Sequence, residues 1–185
     1  MKGTSKYTEA ELVGGCVKGD PLAQRALYER YAPLMYPVCV RYVGREVAKD
    51  VLQDGFITVF DKISTFRGDG SFEGWLRRIF VNTALMEIRK TDVLRNAGDI
   101  EDVPIEDAGM KNPEATSSLQ AQEILKAIEE LPPSFRTVFN LCAIDGFSHA
   151  EVARMTGISE SSSRSQLSRA RNLLQNSLKK LYNDR

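Results

Sequence analysis

The chain has 185 residues, 42% of them hydrophobic and 27% charged, which suits one ordinary or two small globular domains and excludes a disordered chain. Its 25 basic and 25 acidic residues cancel. No apolar run reaches the roughly 18 residues of a spanning helix, and no apolar stretch follows the N-terminal lysines, so the sequence predicts neither a membrane insertion nor a secretory signal.

The first predicted helix starts at Asp20-Pro21, an N-cap followed by a proline whose missing N–H costs nothing at that position. Ala23, Ala26, Leu27, Tyr31 and Leu34 keep helical spacing, Pro33 and Pro37 predict a kink or break, and Gly44 ends the segment. From Glu46 to Asp61, Ala48, Val51, Leu52, Gly55, Phe56 and Val59 form a core face. The opposite face carries Glu46, Asp50, Gln53, Asp54, Ile57 and Asp61. Such an acidic face is either simply solvated or a binding surface.

After a turn at residues 67–70, a third helix puts Phe72, Trp75, Leu76, Ile79, Phe80, Ala84 and Ile88 inward. Arg78, Asn82, Leu85 and Arg89 share another face, flanked by Arg77 and Lys90. Cations beside an amide and aromatics suit single-stranded nucleic acid, with arginines on phosphates and rings on bases. Trp75 serves either the core or such a stacking platform.

Ala97 to Ser118 has glycines, prolines and paired serines without apolar periodicity and reads as a flexible linker. Beyond it, Ile124 to Leu131 form a helix that stops at Pro132-Pro133, and Phe135 to Cys142 form another that ends by Gly146. Ser148 and Glu151 have capping-box spacing, and Gly157 followed by Ser159 marks a turn and a restart, which together make a helix-turn-helix. Its second helix buries Leu167, Ala170, Leu174, Leu178 and Leu181. Outward it presents Ser161, Ser162, Arg164, Ser165, Ser168 and Arg169, groups that reach base edges and phosphates in a major groove unless the serines are merely solvated.

The overall neutrality hides a segregation. Residues 1–96 carry 15 Lys and Arg against 12 Asp and Glu, residues 97–123 carry 1 against 7, and residues 124–185 carry 9 against 6. Two basic modules that meet polyanions, joined by an acidic segment, fit this pattern. Three scattered cysteines (Cys16, Cys39, Cys142) without a C-x-x-C pair fit reduced thiols in a cytoplasmic protein, and the single His149 excludes a structural zinc site and a histidine triad. No catalytic residues, metal ligands or cofactor site are predicted.

Four runs in order, Leu27-Tyr-Glu-Arg-Tyr31, Ala48 to Phe56, Phe66 to Ala84 and Arg164 to Arg171, resemble the extracytoplasmic-function (ECF) sigma factors of the sigma-70 family. The resemblance implies an all-α fold of two small helical domains. Residues 1–96 would be region 2, with its core at about 20–92, residues 97–119 an acidic linker (region 3), and residues 120–185 the helix-turn-helix region 4. It further implies that Asp50, Gln53, Asp54 and Ile57 dock on the β′ clamp helices of core RNA polymerase. Arg77, Arg78, Asn82, Arg89 and Lys90 would handle the melted −10 element of promoter DNA. Ser162, Arg164, Ser165, Gln166, Ser168 and Arg169 would read the −35 element. The β flap would receive region 4, the catalytic cleft the linker, and an anti-sigma factor is a further implied partner.

Three positions depart from the family pattern. Gly55 lacks the usual side chain, which weakens a helix by about 1 kcal/mol relative to alanine. Ser163 replaces an interhelical valine and needs a hydrogen-bond partner. Gln166 stands where many members are basic, so no relative's promoter preference carries over. The competing readings are a stand-alone helix-turn-helix regulator, which leaves the acidic face and the basic third helix unused, and an enzyme with a metal on Asp50 and Asp54, which lacks further ligands.

Overall fold

A computed structural model describes residues 7–93 and 119–183; the reading of residues 97–118 as a linker lies outside the described residues. The chain divides into two compact units, one holding each stretch. Among the described residues all regular structure is helical.

The first unit comprises α1 (Glu9–Val17), α2 (Pro21–Lys62), a 3-10 turn (Ile63–Thr65) and α3 (Phe72–Val93). Helix α1 precedes every predicted element. It is opened by a capping box in which Glu11 N donates to Thr8 Oγ1 at 3.3 Å and Thr8 N donates to Glu11 Oε2 at 2.7 Å. Leu12 and Cys16 bury its inner side, and the Tyr31 hydroxyl donates to Glu9 Oε2 at 3.0 Å, tying α1 to α2.

Helix α2 starts as expected, with Leu22 N donating to Asp20 Oδ1 at 2.9 Å and Pro21 in the first turn. The break predicted at Pro33 and Pro37 does not occur. Both prolines are exposed, four residues apart on the outer side, so the carbonyls that lose their donors face water. The interruption comes at Gly44, whose φ of 78° and ψ of 171° suit glycine alone. Beyond it, Ala48, Val51, Leu52, Gly55, Phe56 and Val59 are all buried, as the spacing requires.

Helix α3 packs on α2. Phe72, Leu76, Ile79 and Phe80 are almost completely buried, and the Phe56 and Phe80 rings meet edge to face at 5.1 Å. Trp75 is 6% exposed and stacks on Phe72 at 5.6 Å. It belongs to the core.

The second unit comprises α4 (Leu119–Glu129), α5 (Pro133–Phe139), a π-helical turn (Asn140–Ile144), α6 (His149–Thr156) and α7 (Glu160–Asn183). Helix α4 begins at Leu119, the last residue of the expected linker. Ala127, Ile128 and Leu131 pack against Ala170 and Leu174, with Phe135, Phe139, Ile144 and Leu178 around them. The side chain of Leu181, placed inward by its spacing, lies outside the described ones. The helix expected from Phe135 to Cys142 instead widens after Phe139, where Asp145 N donates to Asn140 O at 2.8 Å.

The helix-turn-helix forms as its signals require. Glu151 N donates to Ser148 Oγ at 3.2 Å and Ser148 N to Glu151 Oε2 at 2.8 Å. Gly157 closes α6 at φ 74°, and Ser162 N donates to Ser159 Oγ at 3.1 Å to open α7.

Burial pushes the Cys16 thiol up to about 11, helped by the Asp20 charge, and the Cys39 thiol up to about 12. Both therefore lack the reactive thiolate at pH 8. Iodoacetamide at that pH should leave Cys16 and Cys39 unmodified in the folded protein and label both in denaturant, as read by mass spectrometry. Prompt labelling of either in the folded chain would contradict their placement in the core.

Candidate protein and nucleic-acid interfaces

The second half of α2 presents Asp50, Gln53 and Asp54 to solvent, and Ile57 beside them is 53% exposed. Neither aspartate stands in an ion pair among the described residues. On this half of α2 lies a groove of about 710 Å³ lined by Tyr28, Tyr36, Lys49, Leu52, Gln53, Phe56, Ile57 and Phe60. Tyr28 and Phe56 pack ring to ring at 4.6 Å. Exposed Asp50 and Asp54 share this half of α2 with an apolar, partly aromatic groove whose polar lining is Lys49 and Gln53, a combination that can receive a protein surface of charged and apolar side chains. The acidic spacing marked one half of this surface. The groove went unforeseen because Tyr28 and Tyr36 come from the first half of α2 and meet Phe56 and Ile57 only through the fold.

Helix α3 corrects the expected basic face. Arg78 is 6% exposed and Leu85 5%, so two of the four residues assigned to that face lie in the core. The buried stripe is wider than the spacing suggested, because Val81 and Leu85 join it. Arg77 is largely covered and pairs with Glu73 at 3.4 Å. The outward stripe consists instead of exposed Met86 and Lys90 with half-buried Asn82 and Arg89, at i (Asn82), i+4, i+7 and i+8. Met86 is 48% exposed, and Lys90 pairs with Glu87 at 3.4 Å on the surface. An exposed methionine between an amide and two cations gives an unstacked base an apolar contact while its phosphate meets charge.

Helix α7 places its candidate residues as expected. Arg164, Ser165, Ser168 and Arg169 are exposed, Ser162 and Gln166 partly so, and Leu167, Ala170 and Leu174 are buried behind them. Arg164 forms a surface pair with Glu160 at 3.3 Å, and the Ser165 hydroxyl donates to Ser162 O at 3.0 Å. Ser163 is fully buried, and its Oγ lies 2.8 Å from His149 Nδ1. The partner that this hydroxyl requires is thus the one histidine of the chain.

Family models described as Sigma-70 region 2 and Sigma-70, region 4 match residues 27–93 and 121–174. The ECF RNA polymerase sigma-E factor of Haemophilus influenzae is 30% identical over 185 residues, covering 95% of this chain and 98% of the relative. The chain belongs to the sigma-70 family, among the ECF sigma factors.

The Escherichia coli K12 ECF RNA polymerase sigma-E factor is 32% identical over 187 aligned positions, covering 96% of this chain and 98% of the relative. Among solved structures, the sigma factor RpoE of Bartonella quintana, crystallised with the anti-sigma factor NepR, shares 26% identity. It superposes with a TM-score of 0.53 over 84% of this chain and 96% of its own. As an ECF sigma factor the protein is a transcription initiation factor, a family that binds core RNA polymerase and promoter DNA. Its first unit contains sigma region 2 and its second unit region 4. Membership in this family sets aside the stand-alone regulator.

Proposed function

We propose that the two units divide the work of initiation among three surfaces: the acidic residues and apolar groove of α2 for core polymerase, the outward stripe of α3 for the melted −10 strand, and α7 for the −35 duplex. The observation that carries this reading is the separation of chemistries within region 2. Asp50 and Asp54, which would repel DNA, lie on α2, whereas Asn82, Arg89 and Lys90 lie on α3. The groove on the same half of α2, lined by Leu52, Phe56 and Ile57, would add apolar contacts for the β′ clamp helices to the charged ones of Asp50 and Asp54.

On α3, Asn82, Met86, Arg89 and Lys90 hold the separated strand. Arg78 acts from the core, by fixing the helix. On α7, Arg164, Ser165, Gln166, Ser168 and Arg169 face the major groove, with Ser162 at its entrance, while the β flap receives region 4. The protein works in the cytoplasm, where its polymerase is. Among the described residues no helix is long and apolar enough to cross a membrane. An anti-sigma factor would control this sigma factor by covering the surfaces that polymerase needs. The Bartonella quintana sigma factor crystallised with NepR supports such a partner.

The assignment of helices to promoter elements is tested on paired templates, one fully duplex and one mismatched, and so already open, at −10. Arg164→Ala should lower the use of the −35 sequence equally on both templates, by the about 1 to 3 kcal/mol that a base-edge contact supplies. Asn82→Ala should weaken capture of the open strand and change −10 preference. Transcript yields from holoenzyme on −10 and −35 sequence variants read both effects. An Arg164→Ala effect confined to −10, or an Asn82→Ala effect confined to −35, would reverse the assignment.

A further inference from the structure

Between the two helices of the motif, where packing calls for an apolar side chain, this protein has a serine, and the structure shows what the serine meets. Ser163 is fully buried in the first turn of α7, between the outward Ser162 and Arg164. Its Oγ lies 2.8 Å from Nδ1 of His149, the first residue of α6. The third side of the contact is Cys142, whose Sγ is 3.7 Å from Nδ1 and 4.0 Å from Oγ. Cys142 belongs to the π-helical turn that follows α5. Three successive elements therefore converge on one polar contact.

An apolar contact at this place would be tolerant, because dispersion is non-directional and helices can roll over one another at little cost. A hydrogen bond between a ring nitrogen and a hydroxyl is not. It weakens steeply as its angle departs from linearity, and a buried polar group that loses its partner is penalised. The bond joins the first residue of α6 to the first turn of α7, whereas the Gly157 turn joins the other end of α6 to that same turn. With both ends of α6 fixed to the start of α7, the crossing of the two helices has one setting. Rotation of α7 about its axis would break the His149 contact, and the same rotation would carry Arg164 and Ser165 around the helix.

We propose that His149 and Ser163 are positioning residues for promoter reading: their buried hydrogen bond, closed by Cys142, fixes the rotation of α7 and thereby the aim of Arg164 and its neighbours at the −35 duplex. This rests on the reading of α7 as the −35 helix, and the test separates the two. Ser163→Thr and Ser163→Val have the same shape and differ only in the hydroxyl, so any packing effect of the larger side chain is common to both. Ser163→Ala, which adds no volume, serves as a second hydroxyl-free variant should the two larger side chains perturb folding.

Holoenzyme made with each variant is assayed for the ratio of transcripts from intact and scrambled −35 templates. Ser163→Thr should stay within about twofold of the parent, while Ser163→Val and Ser163→Ala should lose about fivefold, the equivalent of one ordinary hydrogen bond. His149→Phe should lose as much. In the free full-length chain, nitrogen NMR reads the ring directly, since His149 is the only histidine. Ser163→Val should move its Nδ1 resonance and the amides of residues 161–165, and Ser163→Thr should restore them. An unmoved Nδ1 resonance in Ser163→Val would overturn the proposal whatever α7 binds. A moved resonance with an unchanged −35 ratio would overturn the positioning role if Arg164→Ala lowers the ratio. If Arg164→Ala leaves the ratio unchanged as well, the −35 reading of α7 falls and takes the promoter role of the pair with it.

Discussion

Asp50→Ala combined with Asp54→Ala should reduce affinity for core polymerase about tenfold or more while changing stability by less than about 1 kcal/mol. Both carboxylates are exposed and neither is engaged in an ion pair among the described residues, so truncation removes no contact on which the fold depends. At an interface the same groups are desolvated opposite a partner's cations, where loss of one side leaves the other buried and unpaired. Ile57→Asp should add to the loss. It puts a charge into the lining of the groove that Tyr28, Tyr36 and Phe56 share, where apolar contact is needed. Polymerase affinity and helical content are measured on the same samples. Unchanged affinity in a folded double variant would return this face to solvent.

Gly55→Ala should destabilise region 2, although alanine is the better helix former. A Cβ built on Gly55 runs into the Phe80 ring, which is itself completely buried and packed edge to face on Phe56. The ring has no open side to move into, so α2 and α3 must separate. Overpacking of this kind costs about 1 to 3 kcal/mol, against a gain of up to about 1 kcal/mol in helix propensity. A net loss of about 1 to 2 kcal/mol in denaturant unfolding is expected. A stabilised Gly55→Ala variant would mean that the close approach of the two helices is not maintained in solution.

Gly55 also shows where the sequence stops being informative. Read along the chain, a mid-helix glycine is only a weakness, and its use becomes visible when α3 brings Phe80 against it. Ser163 is the same case: an isolated hydroxyl at an apolar position until α6 supplies His149. Local signals carried further. The Asp20-Pro21 start, the Gly44 break, the Ser148 capping box and the Gly157 turn act within a few residues, and each appears where it was expected. The Thr8 and Glu11 capping box of α1 was equally local and went unread.

Periodicity succeeded on α7, which has a clear outer side, and on α3 it found the core side but not the free one, because burial of Arg78 and Leu85 left the open stripe nearer Met86. A helix enclosed on more than one side has no single polar face to read. Pro33 and Pro37 do not break α2. A proline breaks a packed helix, but on the outer side of α2 the carbonyls they release face water.

Reconstituted transcription decides whether this chain confers promoter-specific initiation on core polymerase through separate protein and DNA surfaces. Bacterial core polymerase is supplied with promoter DNA, with and without the full-length chain, while binding of the chain alone to the same duplex is measured in parallel. Each module carries only a small excess of basic residues, 15 against 12 and 9 against 6, so the isolated protein should bind duplex weakly. Added to core polymerase, it should give discrete initiation from a promoter. Tight sequence-specific binding by the chain alone, with no stimulation of core polymerase, would contradict that role.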